Sequence, residues 1–474
     1  MKSICFYFQV HQPFRLKKYR IFDIKNNHVY FDEKLNKQIL DKVSNKCYLP
    51  TNNLILKLLN KYKGKFKVAY SITGTLLEQI QKHRKDVLKS FQDLAKTGSV
   101  EFLSETYYHS LSFLYSKEEF KEQVFLHKKL IKNLFNQEPI TFRNTELIYN
   151  NELANFVASL GYKIILAEGA DSILEWRSPN FVYKPKISEK INSKNKDVKL
   201  LLKNYRLSDD IAFRFSNKNW NEWPLTAEKF ISWVEKTEGN LINLFMDYET
   251  FGEHQWPETG IFNFLEKLPE EAFKKNLCFR NPKDVVNENS IAEIDMPNFV
   301  SWADMERDLT AWLGNKMQIS AMSELYAFEK DIKKEFNNNE KNNNKKEIES
   351  KKEIKKILED WRKLTTSDHF YYMCTKWFSD GDVHKYFNPY DSPYDSYMSF
   401  MNVLNDIAYR LLKIKAINNN LNNSINKNNK LNKNNKIAKI NFNNNQDGLD
   451  NEKLIILENP TLLLNKRGVS DEEF

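Results

Sequence analysis

The chain is poor in cysteine and glycine, with only four cysteines and 12 glycines in 474 residues. Cys5, Cys47, Cys278 and Cys374 lie far apart and form no Cys-x-x-Cys pair. This spacing argues against a zinc ribbon and a thioredoxin-type redox motif. Sparse cysteine in a long chain is typical of a reducing compartment, so we predict a cytoplasmic protein.

Long hydrophobic runs are also missing. No apolar stretch approaches the roughly 20 residues that a membrane-spanning helix needs. The run from Ile4 to Val10 is short, lacks a small-residue cleavage site and leads directly into His11. It therefore predicts a first strand rather than a signal peptide, and we expect no membrane partner.

Acidic residues are lacking in one segment near the end of the chain, and this explains the net charge of +9. Without its lysines, the rest of the chain is close to charge balance. The charge is therefore a weak argument for nucleic acid, and we expect no nucleic-acid partner. A basic tether for an anionic partner is the alternative interpretation of this segment. The lysines are Lys413, Lys415, Lys427, Lys430, Lys433, Lys436 and Lys439.

Hydrophobic residues make up 41% of the chain and aromatic residues 14%. The first value supports a sizeable core, and the length allows two or three domains. Aromatic rings offer a flat apolar face to a sugar, but they serve core packing equally well. The aromatic content alone thus leaves both interpretations open.

Short apolar runs alternate with helical patterns over residues 1–290. Asn151–Leu160, for example, has a helical pattern that ends at Gly161, a typical C-cap. Strands that alternate with helices indicate right-handed crossovers and a parallel sheet. We predict an α/β catalytic domain built as a distorted seven-stranded (β/α) parallel barrel. Its strands are Ile4–Gln9, Phe66–Ile72, Val100–Leu103, Ile140–Arg143, Lys163–Ala167, Ile211–Phe213 and Ile242–Asp247.

The pattern becomes helical after about residue 290. We predict a helical C-terminal region over 291–415 that completes the site, and an Asn/Lys-rich low-complexity tail over 416–474. Within that tail, Ala416–Gln446 has little to bury and predicts a loose linker. The expected helices are Met305–Leu313, Gln318–Lys330, Glu347–Leu364 and Ser396–Leu412.

The most informative stretch is the apolar run Leu241–Met246, which ends in Asp247 and Glu249. Ionised groups at the end of a buried strand are costly to desolvate unless they are paired or used. The carboxyl ends of parallel barrel strands also form the reactive face. We therefore expect Asp247 to point into an active site. A solvated loop is the plain alternative.

Other expected strand ends also carry polar groups. His11 is flanked by amides, and His109 follows a run rich in glutamate. Arg143 lies three residues before Glu146 and would keep that carboxylate ionised. One ionised and one protonated carboxyl group are the minimum for cleaving a glycosidic bond. From the residues alone, six acids compete for the two roles.

Five stretches in order along the chain resemble the conserved regions of glycoside hydrolase family 57, in its α-amylase branch. Each motif is weak by itself, and their order makes the resemblance specific. The stretches are His11-Gln12-Pro13, Gly98-Ser99-Val100-Glu101, Phe142 to Tyr149, Met246 to Gly252, and Ser367-Asp368-His369 with Tyr371.

The resemblance implies a retaining hydrolase of α-1,4-glucosidic bonds in starch or glycogen, with Glu146 as nucleophile and Asp247 as general acid/base. It implies neither metal nor cofactor, and its only implied partner is an α-glucan. The oligomeric state stays open. Trp302 and Trp256 are candidate stacking platforms, and His109, His254 and Asp304 adjoin the motifs. The residues expected to bind substrate are His11, Gln9, Glu101, Trp302, Asp368, His369 and Tyr371.

The sequence departs from the family pattern at two positions. Gln9 stands where many members carry a second histidine, and Tyr371 stands where some carry tryptophan. The main alternatives are a 4-α-glucanotransferase or branching enzyme of the same family and, less favoured, a glucan-binding protein without activity. A metal-dependent deacetylase ranks low because no His-x-x-His or His-x-x-x-His occurs.

Overall fold

The computed structural model describes residues 1–188, 197–340, 345–376 and 388–437. By its internal contacts the chain divides into two units, Met1–Lys415 and Ala416–Phe474. The first unit holds all the strands of the described chain and all the residues discussed below as a site. The predicted boundary near residue 290 stays a prediction.

The strands form two five-stranded sheets, ordered β3-β2-β1-β8 with β9 beside β1, and β10-β6-β7-β5-β4. All pairings are parallel except that of β6 with β7. The expected α/β fold with parallel sheets is therefore confirmed. The strands are β1 Ser3–Val10, β2 Val68–Ile72, β3 Val100–Phe102, β4 Thr141–Arg143, β5 Ile164–Glu168, β6 Val182–Pro185, β7 Lys199–Lys203, β8 Leu241–Asp247, β9 Cys278–Phe279 and β10 Glu293–Ile294.

Strand β1 lies at the centre of the first sheet, and all eight of its residues are buried. Phe6 and Phe8 belong to the large apolar cluster formed with the surrounding helices. Cys5 and Tyr7 belong to a second cluster that includes residues of both sheets. Because side chains alternate along a strand, β1 supplies apolar surface to both of its faces.

The register of β1 aligns the ends of three strands. Gln9 pairs with Ser71 of β2 and with Asp247 of β8. Neighbouring strands lie about 4.8 Å apart, so these three residues stand side by side. Asp247 therefore lies in one row with Gln9, which stands two residues before the His11-Gln12-Pro13 motif.

The two sheets meet along two lines. A parallel bridge joins Ser104 to Phe142, and the Arg143 N–H donates to the Ser104 carbonyl at 2.9 Å. On the other side, the Asn204 N–H donates to the Asn243 carbonyl at 2.9 Å. At both junctions, backbone hydrogen bonds therefore join one sheet to the other.

Along the chain, the α-helices lie between the strands and continue after the last strand. They are α1 Glu33–Val43, α2 Leu49–Lys61, α3 Gly74–His83, α4 Lys85–Lys96, α5 Ser112–Tyr115, α6 Lys117–Phe135, α7 Asn151–Ser159, α8 Asp171–Leu174, α9 Tyr205–Asp209, α10 Ala227–Lys236, α11 Ile261–Lys274, α12 Thr310–Leu313, α13 Lys316–Ala327, α14 Glu329–Glu340, α15 Lys345–Leu364, α16 Ser367–Tyr371 and α17 Pro393–Ile437.

One predicted strand is wrong. Ile211–Phe213 lies in a helical turn, Asp210–Arg214, and Phe213 is 65% exposed. A three-residue apolar run does not distinguish a strand from a buried turn of helix. The strand at this place in the order is β7, whose flanking lysines, Lys199 and Lys203, masked its apolar centre.

The expected helical region builds a core of its own around two buried tryptophans, Trp312 and Trp361. Phe14 and Tyr30, from the segment that follows β1, are part of the same core. This packing brings the N-terminal segment beside α16, which carries the fifth motif. The early and late motifs of the chain are joined by this contact.

Two further expectations concern the rest of the described chain. Helix α17 extends to Ile437, where a loose linker was predicted from Ala416 onward. Ile417, Leu421 and Ile425 recur at every fourth residue, which suits a helix despite the low complexity. The remaining tail lies outside the described residues.

Within the described ranges, no helix combines the length and the apolarity required to cross a bilayer.

Candidate active site

The candidate site lies where β1, β3, β4 and β8 end. Strand register places Gln9 beside Asp247. Gln9 Nε2 donates to Glu105 at 3.2 Å, and His109 then connects Glu105 with Glu146. Four polar strand ends are therefore brought together, as expected for the reactive face of a parallel α/β sheet.

Glu146 follows β4 in a left-handed backbone conformation, with φ of 56°. Such a backbone costs about 1–3 kcal/mol in a non-glycine residue and is kept where surrounding contacts impose it. His109 Nε2 and Ser367 Oγ lie 3.2 and 3.0 Å from Glu146 Oε1. Trp302 Nε1 donates to Oε2 at 2.8 Å. Three donors from different parts of the chain thus fix both oxygens.

These donors decide the charge of Glu146. Burial alone would favour the neutral acid, but the hydrogen bond and charge of His109, followed by the charge of Arg143, lower its pKa. The carboxylate remains 20% exposed, so a ligand can reach it. Glu146 is therefore an accessible anion held in one orientation.

Asp247 has the opposite environment. Burial raises its pKa to about 6, and the negative charge of Glu146 contributes to the same shift. Among the described residues, no hydrogen-bond donor contacts its carboxylate. Asp247 is therefore the more readily protonated of the two acids. An ionised acid beside a protonated one is the combination that acid-assisted displacement at a sugar carbon requires.

Glu105 is the residue that the sequence interpretation missed. It is completely buried and accepts hydrogen bonds from Gln9, Ser71 and His109 Nδ1. Burial opposes its ionisation, yet the hydrogen bond from His109 lowers its pKa to about 2. The four-residue spacing of Glu105 and His109 was the available signal, but many acids and histidines share such a spacing.

His109 lies between the two glutamates. Its Nδ1 is 3.0 Å from Glu105 Oε2, and its Nε2 is 3.2 Å from Glu146 Oε1. Burial disfavours the cation, but the hydrogen bonds to Glu105 and Glu146 raise the pKa of His109 to about 9. The sequence placed His109 beside a motif, and the structure brings it into contact with Glu146.

His11 lies against His109, with ring centroids 4.1 Å apart. Its Nε2 is 2.9 Å from Asp368 Oδ2, and its Nδ1 is 2.9 Å from Thr73 Oγ1. Burial opposes the ionisation of Asp368, but the charge and hydrogen bond of His11 hold its pKa well below its usual range. The first and fifth motifs therefore meet directly at the site.

Trp302 differs from the open stacking platform that was expected. Its indole N–H holds Glu146, and the guanidinium of Arg143 lies 4.9 Å from its ring centroid. Lys203 lies 5.4 Å from the same centroid. Behind it, Glu168 accepts a hydrogen bond from Arg307 at 2.9 Å and lies 3.6 Å from Lys203. Cations thus flank the indole, which leaves less ring surface for a sugar.

Three residues expected to bind substrate have other surroundings. Glu101 accepts from Thr141 Oγ1 and the Lys283 N–H, and since Thr141 begins β4, Glu101 lies toward the opposite end of that strand from Glu146. The His369 ring packs 6.0 Å from that of Phe400, and Tyr371 packs against the helical core. The motif pattern does not contain the direction of these side chains, and their role in substrate binding stays a prediction.

The remaining candidates lie around the site. Trp256 is 60% exposed and donates its indole N–H to the Glu253 carbonyl, so its ring is accessible to a sugar. His254 lies in the same loop, where burial lowers its pKa. Asp304 lies 3.5 Å from the Lys376 ammonium.

Within the described ranges, no three His, Cys, Asp or Glu side chains are grouped so that they could hold a metal ion. Three histidines with little exposure use their ring nitrogens differently. His11 and His109 contact carboxylates, and His127 contacts the backbone.

The sequence of the chain is similar to known proteins over most of its length. Residues 5–297 match the model of glycosyl hydrolase family 57. A protein of Methanocaldococcus jannaschii named "Putative alpha-amylase" is 45% identical over 423 residues, which cover 87% of this chain and 85% of that protein.

Solved structures of low sequence identity share the fold. A family 57-type branching enzyme of Pyrococcus horikoshii is 15% identical, with a TM-score of 0.59 over 81% of this chain and 87% of that one. An α-amylase of Thermotoga maritima is 13% identical, with a TM-score of 0.53 over 87% and 96%. The family match over more than half of the chain, together with the M. jannaschii relative, shows that the chain belongs to glycosyl hydrolase family 57.

Proposed function

We propose that this protein is an α-amylase that hydrolyses α-1,4-glucosidic bonds with retention of anomeric configuration. One observation carries the proposal: of two acids at the ends of β4 and β8, Glu146 is surrounded by donors that lower its pKa, whereas burial raises the pKa of Asp247 and no donor among the described residues contacts it. The 45% identity to a protein named as an α-amylase supports the choice of substrate.

In the first step, a Glu146 oxygen attacks the anomeric carbon and forms a glycosyl ester. The bond from that carbon to the glycosidic oxygen breaks, and its electron pair takes the proton of Asp247. The leaving saccharide departs as an alcohol, and Asp247 becomes a carboxylate. The raised pKa of Asp247 suits it to give up this proton near neutral pH.

In the second step, Asp247 removes a proton from water, and the resulting hydroxide attacks the anomeric carbon from the side that the leaving group vacated. The ester bond to Glu146 breaks, and Glu146 recovers its charge. Two inversions give net retention. Both ring nitrogens of His11 are engaged, by Thr73 and by Asp368, so we expect the His11–Asp368 pair rather than His11 alone to bind a sugar hydroxyl.

We also propose that β1, β2, β3, β4, β5, β7 and β8 close into a distorted seven-stranded parallel barrel. The two junctions between the sheets, at Ser104 with Phe142 and at Asn204 with Asn243, support closure. In such a barrel, Glu146 and Asp247 would stand on opposite walls of one opening. We expect their carboxyl groups to lie about 5–5.5 Å apart, the spacing typical of retention.

The decisive experiment is product analysis on soluble starch, with the anomeric configuration followed by NMR during the first turnovers. Release of α-anomers supports retention, and release of β-anomers contradicts it. Glu146→Gln serves as the inactive control. The enzyme is expected to be cytoplasmic and to need no added metal or cofactor.

A second experiment separates hydrolysis from transfer. Several structures of this fold belong to branching enzymes and to a 4-α-glucanotransferase of Thermococcus litoralis, the latter with 16% identity and a TM-score of 0.53 over 78% of this chain and 56% of that one. Incubation with maltoheptaose would yield longer products from a transferase and only shorter ones from a hydrolase. Longer products would replace our proposal with the transferase alternative.

A further inference from the structure

A buried charged pair, Glu105 and His109, lies directly behind Glu146 and has no role in the two steps above. Glu105 is fully buried and His109 is 2% exposed. The pair contacts Glu146 through His109 Nε2, which lies 3.2 Å from Glu146 Oε1. The choice of nucleophile and acid does not explain why this buried pair lies next to Glu146.

We propose that Glu105 and His109 are positioning residues: Glu105 holds His109 as an imidazolium, and His109 keeps Glu146 oriented and ionised through both steps of catalysis. The inference rests on the proposed function only in so far as Glu146 is the nucleophile. The charge of His109 itself can be measured without any substrate.

The geometry requires the cation. Both ring nitrogens of His109 lie within 3.2 Å of a carboxylate oxygen. A neutral imidazole carries one N–H and one lone pair, so one carboxylate would face the lone pair. Only the doubly protonated ring donates to Glu105 and Glu146 together.

Two other histidines lie around the pair, and their contacts differ from those of His109. His127 receives the Glu105 backbone N–H on Nδ1 and contacts the Ile72 carbonyl through Nε2, which is the pattern of a neutral ring. His11 is stacked on His109, and burial followed by the charge of His109 lowers its pKa. Of these three histidines, His109 is the one whose contacts require a charge.

The other charged groups that face the pair are Arg143, Asp247 and Asp368. Arg143 Nη1 lies 4.0 Å from Glu105 Oε2, and none of its guanidinium nitrogens has a hydrogen-bond partner in the described structure. Its charge therefore acts on Glu105 and Glu146 through space. Asp368 is bonded to His11. Asp247, protonated in the resting enzyme, gains its charge only after it has donated its proton.

The pair has a chemical consequence during turnover. When Glu146 becomes an ester, it loses its negative charge, and His109 loses one of its two anionic partners. Glu105 remains, with a pKa that the hydrogen bond from His109 holds near 2 against the effect of burial, and it keeps the imidazolium charged. His109 can then donate to the ester oxygen and stabilise the carboxylate that leaves in the second step.

The first test is NMR of ¹⁵N-histidine-labelled full-length protein, with His109→Gln used to assign the signal. In the wild type, both ring nitrogens of His109 should remain protonated from pH 6 to about pH 8, well above the ordinary histidine value of about 6.5. In Glu105→Gln the ring should titrate at lower pH. A wild-type His109 that titrates near pH 6.5 would overturn the proposal whatever the protein hydrolyses.

The second test is the pH profile of kcat/KM for Glu105→Gln. Loss of the cation should move the acid limb upward by about one pH unit, a tenfold change in the ionised fraction of Glu146 at a given pH in that range. Glu105→Asp, which keeps the charge, should return the limb toward the wild-type position. A structural role alone would lower activity equally at all pH values.

Glu101→Gln is the matched control, because Glu101 is another buried glutamate of the β3 segment whose hydrogen bonds go to Thr141 and Lys283. It should leave the acid limb in place. Ser71→Ala, which removes one hydrogen bond to Glu105 and no charge, covers the case in which Glu105→Gln does not fold. An unshifted limb in Glu105→Gln and Ser71→Ala, together with an unchanged His109 titration, would refute the proposal.

Discussion

Glu146, just after β4, and Asp247, the last residue of β8, are close enough for the charge of one to raise the pKa of the other, and their surroundings are opposite. After β4, the backbone turns left-handed at Glu146, and three donors fix the carboxylate. After β8, Asp247 stands at the end of an apolar strand, and no donor from the described residues contacts it. The contrast supports the proposed roles, in which environment rather than residue type separates the nucleophile from the acid.

The pKa values of the two acids are also linked through their charges. The charge on Glu146 raises the pKa of Asp247, in addition to the larger effect of burial. His109 and Arg143 lower the pKa of Glu146 and would lower that of Asp247 as well. Direct hydrogen bonds therefore decide the difference, since the cations act on both acids.

The largest expected effect is that of Glu146→Gln. Without a nucleophile the covalent intermediate cannot form, so activity should fall to about 10⁻⁴ of the wild-type value or less, within enzymatic accelerations that commonly exceed about 10⁶-fold. The loss should be equal on starch and on an aryl α-maltoside. Circular dichroism and thermal unfolding should match the wild type, and near-normal turnover would remove Glu146 from the mechanism.

Asp247→Asn should slow only those substrates whose leaving group needs a proton, which distinguishes the role of Asp247 from that of Glu146. On starch, loss of the proton donor should cost about 10²- to 10⁴-fold in rate. A 2,4-dinitrophenyl glycoside needs no protonation to leave, so its first step should remain fast and the glycosyl-enzyme should accumulate, visible as a burst and by mass spectrometry. Equal losses on both substrates would contradict the acid/base assignment.

The pH profile of kcat/KM should be bell-shaped with an optimum on the acid side of neutrality. Activity needs Glu146 ionised and Asp247 protonated. The rate should therefore fall as the pH rises through about 6, where Asp247 loses its proton. It should fall again as the pH drops and Glu146 gains one. Measurement from pH 3 to pH 9 checks this, and an alkaline limb above pH 8 would assign that limb to another group.

Trp302→Phe should weaken the hydrogen bonding that holds Glu146, the acid that follows β4. The change removes the indole N–H that holds Glu146 Oε2 at 2.8 Å and keeps an aromatic ring for Arg143. A hydrogen bond to a charged group contributes about 1.5–3 kcal/mol, so we expect about a 10- to 100-fold loss in kcat/KM and an upward shift of the acid limb. A rise in KM with an unchanged limb would indicate that Trp302 binds sugar instead.

The smallest expected effect is that of Glu101→Gln. Burial raises the pKa of Glu101 to about 7, and its hydrogen bonds go to Thr141 and Lys283, away from Glu146. Activity on starch should stay within about threefold of the wild type, well inside the 1.4 kcal/mol that a factor of ten represents. A loss comparable to that of Trp302→Phe would restore Glu101 to the substrate site.

Local pattern predicted much of the architecture. The apolar runs of β1, β2, β4, β5 and β8 were found within two residues of their bounds, because a fully buried strand is a short uninterrupted apolar segment. The runs around β6 and β7 were missed because charged or polar residues interrupt or flank them. Ile211–Phe213 was misassigned because a buried helical turn has the same composition as a short strand.

The site was predicted unevenly for a related reason. Asp247 and His11 follow apolar runs directly, so position in the chain pointed to them, whereas Glu146 was chosen over the competing acids through the resemblance to the family. Glu105 lies beyond the end of its strand among several polar residues, and only its burial and its contact with His109 distinguish it. The side-chain directions of His369 and Tyr371 depend on how α16 packs, which no local pattern contains.

The sequence by itself determined where strands end in acids and which family those motifs identify, since both depend on residues adjacent in the chain. Only the tertiary structure decided which groups hold Glu146 as an anion. The three groups that hold Glu146 lie 37, 156 and 221 residues away from it along the chain, in His109, Trp302 and Ser367. Charge in a buried site is set by such donors and by exclusion of water, and both arise only when distant segments pack together.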